Sequence, residues 1–142
     1  MTPSTALVPH FTLAYWCVLV AALLPYVCAL LAKSGGRGKS RASGGFDNHN
    51  PRAWLAQQKD WHARANAAQA NSFEGLPFFI GAVIIAHQLG APQLWVDALA
   101  VAYVLFRVAF IVCYVRDMAA ARSAFWGLGL LATIALLFVG MR

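Results

Sequence analysis

One long apolar run in the middle of the chain begins with Arg64-Ala-Asn-Ala-Ala-Gln-Ala-Asn71-Ser-Phe-Glu74-Gly-Leu-Pro77-Phe-Phe79 and continues to Ala86. On a helix that turns about 100° per residue, Arg64 and Asn71 lie about 20° apart, and Glu74 lies about 60° further round. One helix face therefore carries a cation, an amide and a carboxylate, whereas the other positions are mostly Ala, Phe, Ile and Val. A polar face of this kind is ordinary on a helix in water, whereas in lipid it costs free energy. Its interpretation therefore depends on whether the helix lies in water or in a membrane.

The composition favours a lipid bilayer. Of the 142 residues, 61% are apolar and 11% are charged, whereas soluble domains are about a quarter charged. The apolar residues fall in four segments, at residues 11–32, 61–89, 94–115 and 123–141. Each segment reaches or approaches the ~20 residues that cross the hydrocarbon core as a helix. The sequence therefore predicts an all-α integral membrane protein, a four-transmembrane-helix bundle that forms a single domain over residues 1–142.

Lysine and arginine predict how the bundle is oriented. They are concentrated in a flexible, basic, low-complexity loop at residues 33–50, in the segment that follows it, and in the connection after the third span, whereas the opposite ends offer only Arg142. By the positive-inside rule the basic side is cytoplasmic and both termini lie outside the cytoplasm, as expected for a multi-pass protein of a bacterial inner membrane. The net charge of +6 then reflects topology and anionic lipid neighbours, and no aromatic-interleaved basic surface indicates nucleic acid.

Prolines and short connections give local predictions. Pro25 and Pro77 should bend the first and second spans, because each removes a backbone hydrogen bond. Pro51, which follows a capping asparagine, predicts a helix that runs through Trp54 and Trp61 directly into the second span. The short uncharged connection before the third span makes spans two and three antiparallel neighbours.

Cysteines and histidines carry no metal or catalytic signature. Cys17, Cys28 and Cys113 lie in apolar segments, are odd in number and lack ligand spacing, so we expect buried small apolar side chains and no metal site. The histidines lie near predicted membrane ends or in the loop, without a carboxylate or nucleophile partner in the sequence.

Two charged residues should lie inside the hydrocarbon zone. Because an unpaired charge there costs about 2.5–3.5 kcal/mol, the sequence predicts an ion pair between Glu74 and Arg107, within one chain or between chains. The pair has two interpretations: it fixes helix register, or it belongs to a polar pocket for a charged ligand, with Asn71 and Gln69 as further donors and acceptors. At the cytoplasmic boundary, Tyr114 and Trp126 also suit an aromatic belt, and Arg122 suits a snorkelling cation.

Three spaced motifs follow one another along the last three spans. They are Arg64…Asn71-x-x-Glu74-x-x-Pro77-Phe78, Arg107-x-x-Phe110-x-x-x-Tyr114 and Arg122-Ser123-x-x-Trp126, preceded by Asp47-Asn48-x-x-Pro51-Arg52. Over about residues 46–127 this ordered set resembles the MAPEG family (membrane-associated proteins in eicosanoid and glutathione metabolism), and in particular its bacterial branch.

The resemblance implies a homotrimer in which helix two lines the threefold centre and glutathione, as co-substrate, binds between protomers near the cytoplasmic side. Family members conjugate glutathione to lipophilic electrophiles, reduce lipid hydroperoxides or isomerise lipid peroxides, and one member presents lipid without catalysis. The implied partners are therefore a second and third copy of the chain, membrane lipids and a lipophilic small molecule. The implied glutathione contacts are Arg64, Gln69, Asn71, Glu74, Arg107 and Tyr114, with Arg122 and Ser123 as the catalytic residues that stabilise the thiolate.

Two positions depart from the family pattern and keep a second function open. Ala67 stands where relatives that use glutathione often have arginine, and Phe110 stands where a tyrosine is expected, so both lack a hydrogen-bond donor for an anionic tripeptide. Arg64 or Arg52 could compensate. We therefore expect a glutathione-dependent transferase or peroxidase; the alternative is a non-enzymatic lipid-binding or scaffold protein that uses the same pocket. A small transporter is a more distant third, since a lone membrane glutamate can also couple protons.

Overall fold

Five α-helices make up the computed structural model, which describes residues 10–141. They are α1 (Leu13–Lys33), α2 (Pro51–Ala56), α3 (Asp60–Gln88), α4 (Gln93–Val115) and α5 (Ala119–Phe138). All except α2 are long and apolar enough to cross a membrane, and residues 10–141 contain no strand. The predicted all-α membrane bundle with four spans is therefore confirmed.

Helices α3 and α4 form the centre of the bundle. They contact each other, α1 packs against both of them, and α5 also packs against both. The connection between them is short, and Gly90 within it has a φ of +65°, a left-handed conformation that glycine adopts without steric cost. The polar face predicted on the second span therefore lies on one of the two central helices.

Small side chains let the helices approach closely. Alanine is the commonest residue of the buried core, which also contains Cys17 on α1 and Leu136 on α5, and small residues are usual where helices pack inside a membrane. One large aromatic contact crosses this core, because the rings of Phe79 on α3 and Tyr103 on α4 stack with centroids 3.9 Å apart. All three cysteines are free and buried, as predicted for small side chains in apolar segments.

A polar cluster fixes the start of α1 at the membrane end far from the basic loop. The backbone N–H of Ala14, which has no partner within its own helix, donates to the Asp97 carboxylate at 2.9 Å. The His87 ring lies 2.8 Å from the Val83 carbonyl through Nδ1 and 3.0 Å from the Thr12 hydroxyl through Nε2. A carbonyl only accepts, so Nδ1 carries a proton and donates to Val83, and Nε2 shares a second hydrogen bond with the Thr12 hydroxyl. His87 therefore has a structural role.

The helix predicted to run from Pro51 into the second span is interrupted, so that prediction is wrong. Helix α2 ends at Ala56, and α3 begins only at Asp60, whose φ of 53° is left-handed. The cause is tertiary. Trp54 is buried against the preceding loop, where its ring meets Phe46 edge to face with centroids 5.3 Å apart, and this contact holds α2 to the loop.

The basic loop contains turn structure. Two short 3-10 turns lie at Ser34–Gly36 and Arg41–Ser43. The ammonium of Lys33 sits 4.6 Å from the centroid of the Phe46 ring, and Arg41 forms an exposed ion pair with Asp47 at 3.1 Å. Flexibility of this loop stays a prediction from composition.

Candidate functional site

Two adjoining clefts lie between α3, α4 and α5. The inner cleft has a volume of about 230 Å³; its polar lining comes from Asn71, Glu74, Tyr103, Arg107 and Thr133, and its apolar lining from Gly75, Phe78, Trp126, Gly129 and Leu130. The outer cleft has a volume of about 250 Å³ and is lined by Asn71, Phe110, Tyr114, Arg122, Ser123 and Trp126. Both clefts are lined by Asn71 and Trp126, so they adjoin at these two residues. Ligands bound in the two clefts would contact each other beside Asn71 and Trp126.

Arg107 is buried between the two central helices. Its side chain comes from α4, is only 4% exposed, and donates from Nη2 to the Asn71 side-chain oxygen at 3.0 Å and to the Ser72 hydroxyl at 3.2 Å. Its guanidinium carbon also lies 4.3 Å from the centroid of the Phe110 ring. Two hydrogen bonds and a cation–π contact therefore fix this cation at the boundary of the clefts.

The predicted Glu74–Arg107 ion pair is not formed within one chain. The ion pairs among residues 10–141 are Arg41–Asp47 and Arg64–Asp117. Asn71 lies between the two charges: its oxygen accepts from Arg107, and its amide nitrogen is 3.5 Å from the Glu74 carboxylate. Glu74 is exposed on the surface of the single chain. The prediction within one chain is therefore wrong, because a neutral amide and a serine satisfy the arginine; pairing with another copy stays a prediction.

Arg122 lies in the outer cleft beside Ser123. Its guanidinium carbon is 4.5 Å from the centroid of the Tyr114 ring, so the aromatic face supports the cation from one side. Within residues 10–141 no carboxylate forms an ion pair with Arg122. Its N–H groups therefore stay available to an anion in the cleft.

Arg64 and Gln69, two of the eight residues predicted for the site, do not line either cleft. Arg64 donates from Nε to the backbone carbonyl of Val115 at 3.1 Å, and its Nη1 lies 3.8 Å from Asp117. It thus caps the C-terminus of α4, where a cation is favoured by the helix dipole. Gln69 is half-buried on α3. The other six predicted residues are brought together.

Tyr103 is a cleft residue that the sequence reasoning missed. Its ring is 4% exposed and lies in the inner cleft, with its hydroxyl close to Gly75 on α3. A signal for it existed: Tyr103 precedes Arg107 by four residues, and residues four apart on a helix share a face.

The family model for the MAPEG family matches residues 13–141, nearly the whole chain. The chain belongs to the MAPEG family. No curated protein and no solved structure matches it significantly. As a MAPEG protein it is a membrane protein of the family associated with eicosanoid and glutathione metabolism.

The donor set of the clefts fits the chemistry of glutathione, an anionic tripeptide thiol. The outer cleft of this MAPEG protein offers the Arg122 guanidinium, the hydroxyls of Ser123 and Tyr114 and the amide of Asn71, and these groups suit carboxylates, peptide groups and a thiolate. The Glu74 carboxylate nearby suits an ammonium group. Phe110 is 2% exposed and packs under Arg107, so at this position the MAPEG protein has an aromatic support where a hydroxyl was expected.

Proposed function

We propose that the chain is a glutathione-dependent transferase or peroxidase that acts on lipophilic electrophiles or lipid hydroperoxides. The observation that carries this proposal is Arg122, a guanidinium without an acidic partner among residues 10–141 that lies beside Ser123 in the outer cleft. Membership of the MAPEG family supports the proposal. Lipophilic substrates would reach the clefts from the bilayer, since the helices that form them are membrane spans.

The side chains of the outer cleft would bind and activate the co-substrate. Glutathione, when bound, supplies the thiolate nucleophile. Arg122 stays charged at every accessible pH and would stabilise the anionic sulfur, so a thiol with a pKa of about 8.5 would ionise more readily at neutral pH. Ser123 would donate a hydrogen bond to the same sulfur, and the thiol proton would pass to solvent water, so no side-chain base is required. Asn71, Glu74 and Tyr114 would hold the tripeptide backbone.

We also propose a homotrimer. Glu74 is exposed on a transmembrane helix of the single chain, and a carboxylate facing lipid is costly. A neighbouring protomer that covers this face would remove the cost and could supply the missing counter-charge. Native mass spectrometry in mild detergent should detect a trimer; only monomers would contradict this assembly.

The proposed location is a bacterial inner membrane, with the loop of residues 33–50 in the cytoplasm and both termini outside. The support is the basic character of that loop and of the connection between α4 and α5. A reporter that is active only in the cytoplasm should work when inserted after Gly38 and fail at the C-terminus. The reverse result would reject the orientation.

A non-enzymatic lipid-binding or scaffold protein is the second candidate. The observation that favours it is Phe110, which provides no hydroxyl where a glutathione site is expected to have one. Ala67 likewise provides no side-chain donor. This candidate predicts no measurable glutathione binding.

Calorimetric titration with glutathione and a conjugation assay with 1-chloro-2,4-dinitrobenzene separate the two candidates. Wild type should bind glutathione and form the conjugate, and Arg122→Gln should lower kcat/KM by about ten- to a hundredfold, since a charge-assisted hydrogen bond contributes about 1.5–3 kcal/mol. Arg116→Gln is the matched control, because Arg116 is an exposed arginine at the same membrane end that lines neither of these two clefts. Absence of glutathione binding at millimolar concentration would favour the second candidate.

A further inference from the structure

The ring of Tyr103 is packed between three helices. It comes from α4, is buried, and stacks on Phe79 of α3 with centroids 3.9 Å apart. Gly129 of α5 also lies against this ring, since a Cβ atom added there would be 3.8–3.9 Å from two of its carbon atoms. These contacts set the direction of the Tyr103 hydroxyl before any substrate binds.

The hydroxyl of Tyr103 is a free donor at the wall of the inner cleft. It forms no hydrogen bond with residues 10–141, although no fully buried side-chain nitrogen or oxygen in this part of the chain lacks a partner. The hydroxyl must therefore border open space, and the inner cleft, which Tyr103 lines, provides it. Because a phenol can donate a hydrogen bond and transfer a proton, this wall can supply a proton to a substrate.

The inner cleft adjoins the position proposed for the thiolate. Arg122, Trp126 and Gly129 are four and then three residues apart, so they share one face of α5. Arg122 lines the outer cleft, Gly129 lines the inner cleft, and Trp126 lines both. The two clefts thus follow one another along α5 over ~10 Å, from Arg122 to Gly129. A substrate in the inner cleft would have the sulfur on its Arg122 side and the Tyr103 hydroxyl within the cleft.

A proton donor at this position distinguishes the two reactions of the proposed function. Displacement of chloride from an aromatic ring releases an ion that needs no proton. Reduction of a hydroperoxide releases an alkoxide, a strong base that becomes a stable product only when it takes up a proton. General acids accelerate such steps by about 10²–10⁴-fold. The free hydroxyl of Tyr103 therefore favours the peroxidase reaction.

We propose that Tyr103 is the general acid of a glutathione peroxidase reaction whose substrate is an organic hydroperoxide. This inference rests on the proposed function. The thiolate sulfur bonds to the terminal peroxide oxygen while the O–O bond breaks, so the sulfur is oxidised to a sulfenic acid and the peroxide is reduced. The leaving oxygen takes the Tyr103 proton and becomes an alcohol, and the tyrosinate regains from water the proton that the thiol released. A second glutathione converts the sulfenic acid to a disulfide and water.

The test measures two glutathione-dependent reactions in the same preparation: reduction of cumene hydroperoxide and conjugation of 1-chloro-2,4-dinitrobenzene. Tyr103→Phe removes the hydroxyl and keeps the ring that stacks on Phe79. It should lower kcat/KM for the hydroperoxide about a hundredfold more than kcat/KM for conjugation, because only the alkoxide needs the proton. Tyr26→Phe is the matched control and should change neither value, since Tyr26 is an exposed residue of α1 that lines neither cleft.

A second readout needs no turnover. Cumyl alcohol, the product of cumene hydroperoxide, should perturb the ultraviolet absorbance of tyrosine when it is added to wild type without glutathione, because its oxygen accepts a hydrogen bond from Tyr103. The perturbation should be absent from Tyr103→Phe and retained in Tyr26→Phe.

Three results would overturn the role of Tyr103 and leave the transferase function standing. The first is an equal change of both reactions, or no change, in Tyr103→Phe, and the second is conjugation without hydroperoxide reduction by wild type. The third is an unchanged tyrosine absorbance in wild type, which would show that the product does not reach the hydroxyl. Absence of both reactions from wild type would contradict the proposed function itself and the role of Tyr103 with it.

Discussion

Asn71 on α3 accepts a hydrogen bond from Arg107 on α4, with 3.0 Å between the amide oxygen and Nη2. This contact joins the two central helices at the boundary of both clefts. Within one chain it takes the place of the predicted ion pair, so within the protomer Asn71, and not Glu74, holds the guanidinium.

Replacement of Asn71 should therefore cost more stability than replacement of Glu74. Asn71→Ala leaves the buried guanidinium with one neutral acceptor, and loss of a hydrogen bond to a charged group costs about 1.5–3 kcal/mol. In protomers dispersed by detergent Glu74 is exposed, so Glu74→Gln should cost under about 1 kcal/mol there. Chemical unfolding in detergent, measured by circular dichroism, compares the free energy of unfolding of the two variants. A larger loss for Glu74→Gln would show that Glu74 forms an ion pair, within or between chains.

The sequence predicted most of the residues that line the clefts, but it did not predict which of them form hydrogen bonds with one another. Spacing along a helix places Asn71 and Glu74 near one another, and the cost of an unpaired charge in the membrane predicts that Arg107 lies close to Glu74. Spacing does not show how far a side chain extends, and in the structure Asn71 lies between the charged groups of Arg107 and Glu74. The break before Asp60 was missed for a different reason: Trp54 is buried against residues of the preceding loop, and such a contact overrides the local helix signal.

Arg64 should act on stability and not on glutathione binding. Because it donates to the Val115 carbonyl at the end of α4, Arg64→Ala should lower the free energy of unfolding by about 1 kcal/mol, reduced from a fully buried value since the side chain is about one-third exposed. Glutathione affinity should stay within about twofold of wild type. Gln69→Ala is the control on the same helix, with neither property changed. A tenfold loss of glutathione affinity in Arg64→Ala would show that Arg64 does contribute to glutathione binding.

Asp97 should stabilise the bundle by capping α1 from another helix. Its carboxylate accepts from the Ala14 backbone N–H at 2.9 Å, and loss of a helix cap costs about 0.5–2 kcal/mol. Asp97→Ala should show this loss in unfolding by detergent titration. Asp97→Asn keeps one acceptor oxygen and should lose less. Equal losses in both variants would indicate that charge, and not the hydrogen bond, stabilises this end.

Gly36 should be required for the shape of the basic loop. A Cβ atom there would lie 2.7 Å from both the Trp54 ring and the Phe46 backbone nitrogen, whereas a Cβ on Gly35 meets only side-chain atoms of Gln58 and His62. Gly36→Ala should therefore speed trypsin cleavage of the loop about tenfold, the effect of ~1.4 kcal/mol of lost protection. Gly35→Ala should change it little. Equal cleavage rates for wild type and Gly36→Ala would show that the loop is mobile, as its composition predicts.

The ionisation of bound glutathione tests the proposed chemistry most directly. Thiolate absorbance in the ultraviolet, recorded as the pH is raised, gives the pKa of the bound thiol. A nearby cation favours the anionic form, so in wild type this pKa should fall at least about one unit below the ~8.5 of an ordinary thiol. Arg122→Ala should return it towards the free value while unfolding stays unchanged. A bound thiol that titrates like free glutathione in wild type, or an unchanged pKa in Arg122→Ala, would contradict thiolate stabilisation by Arg122.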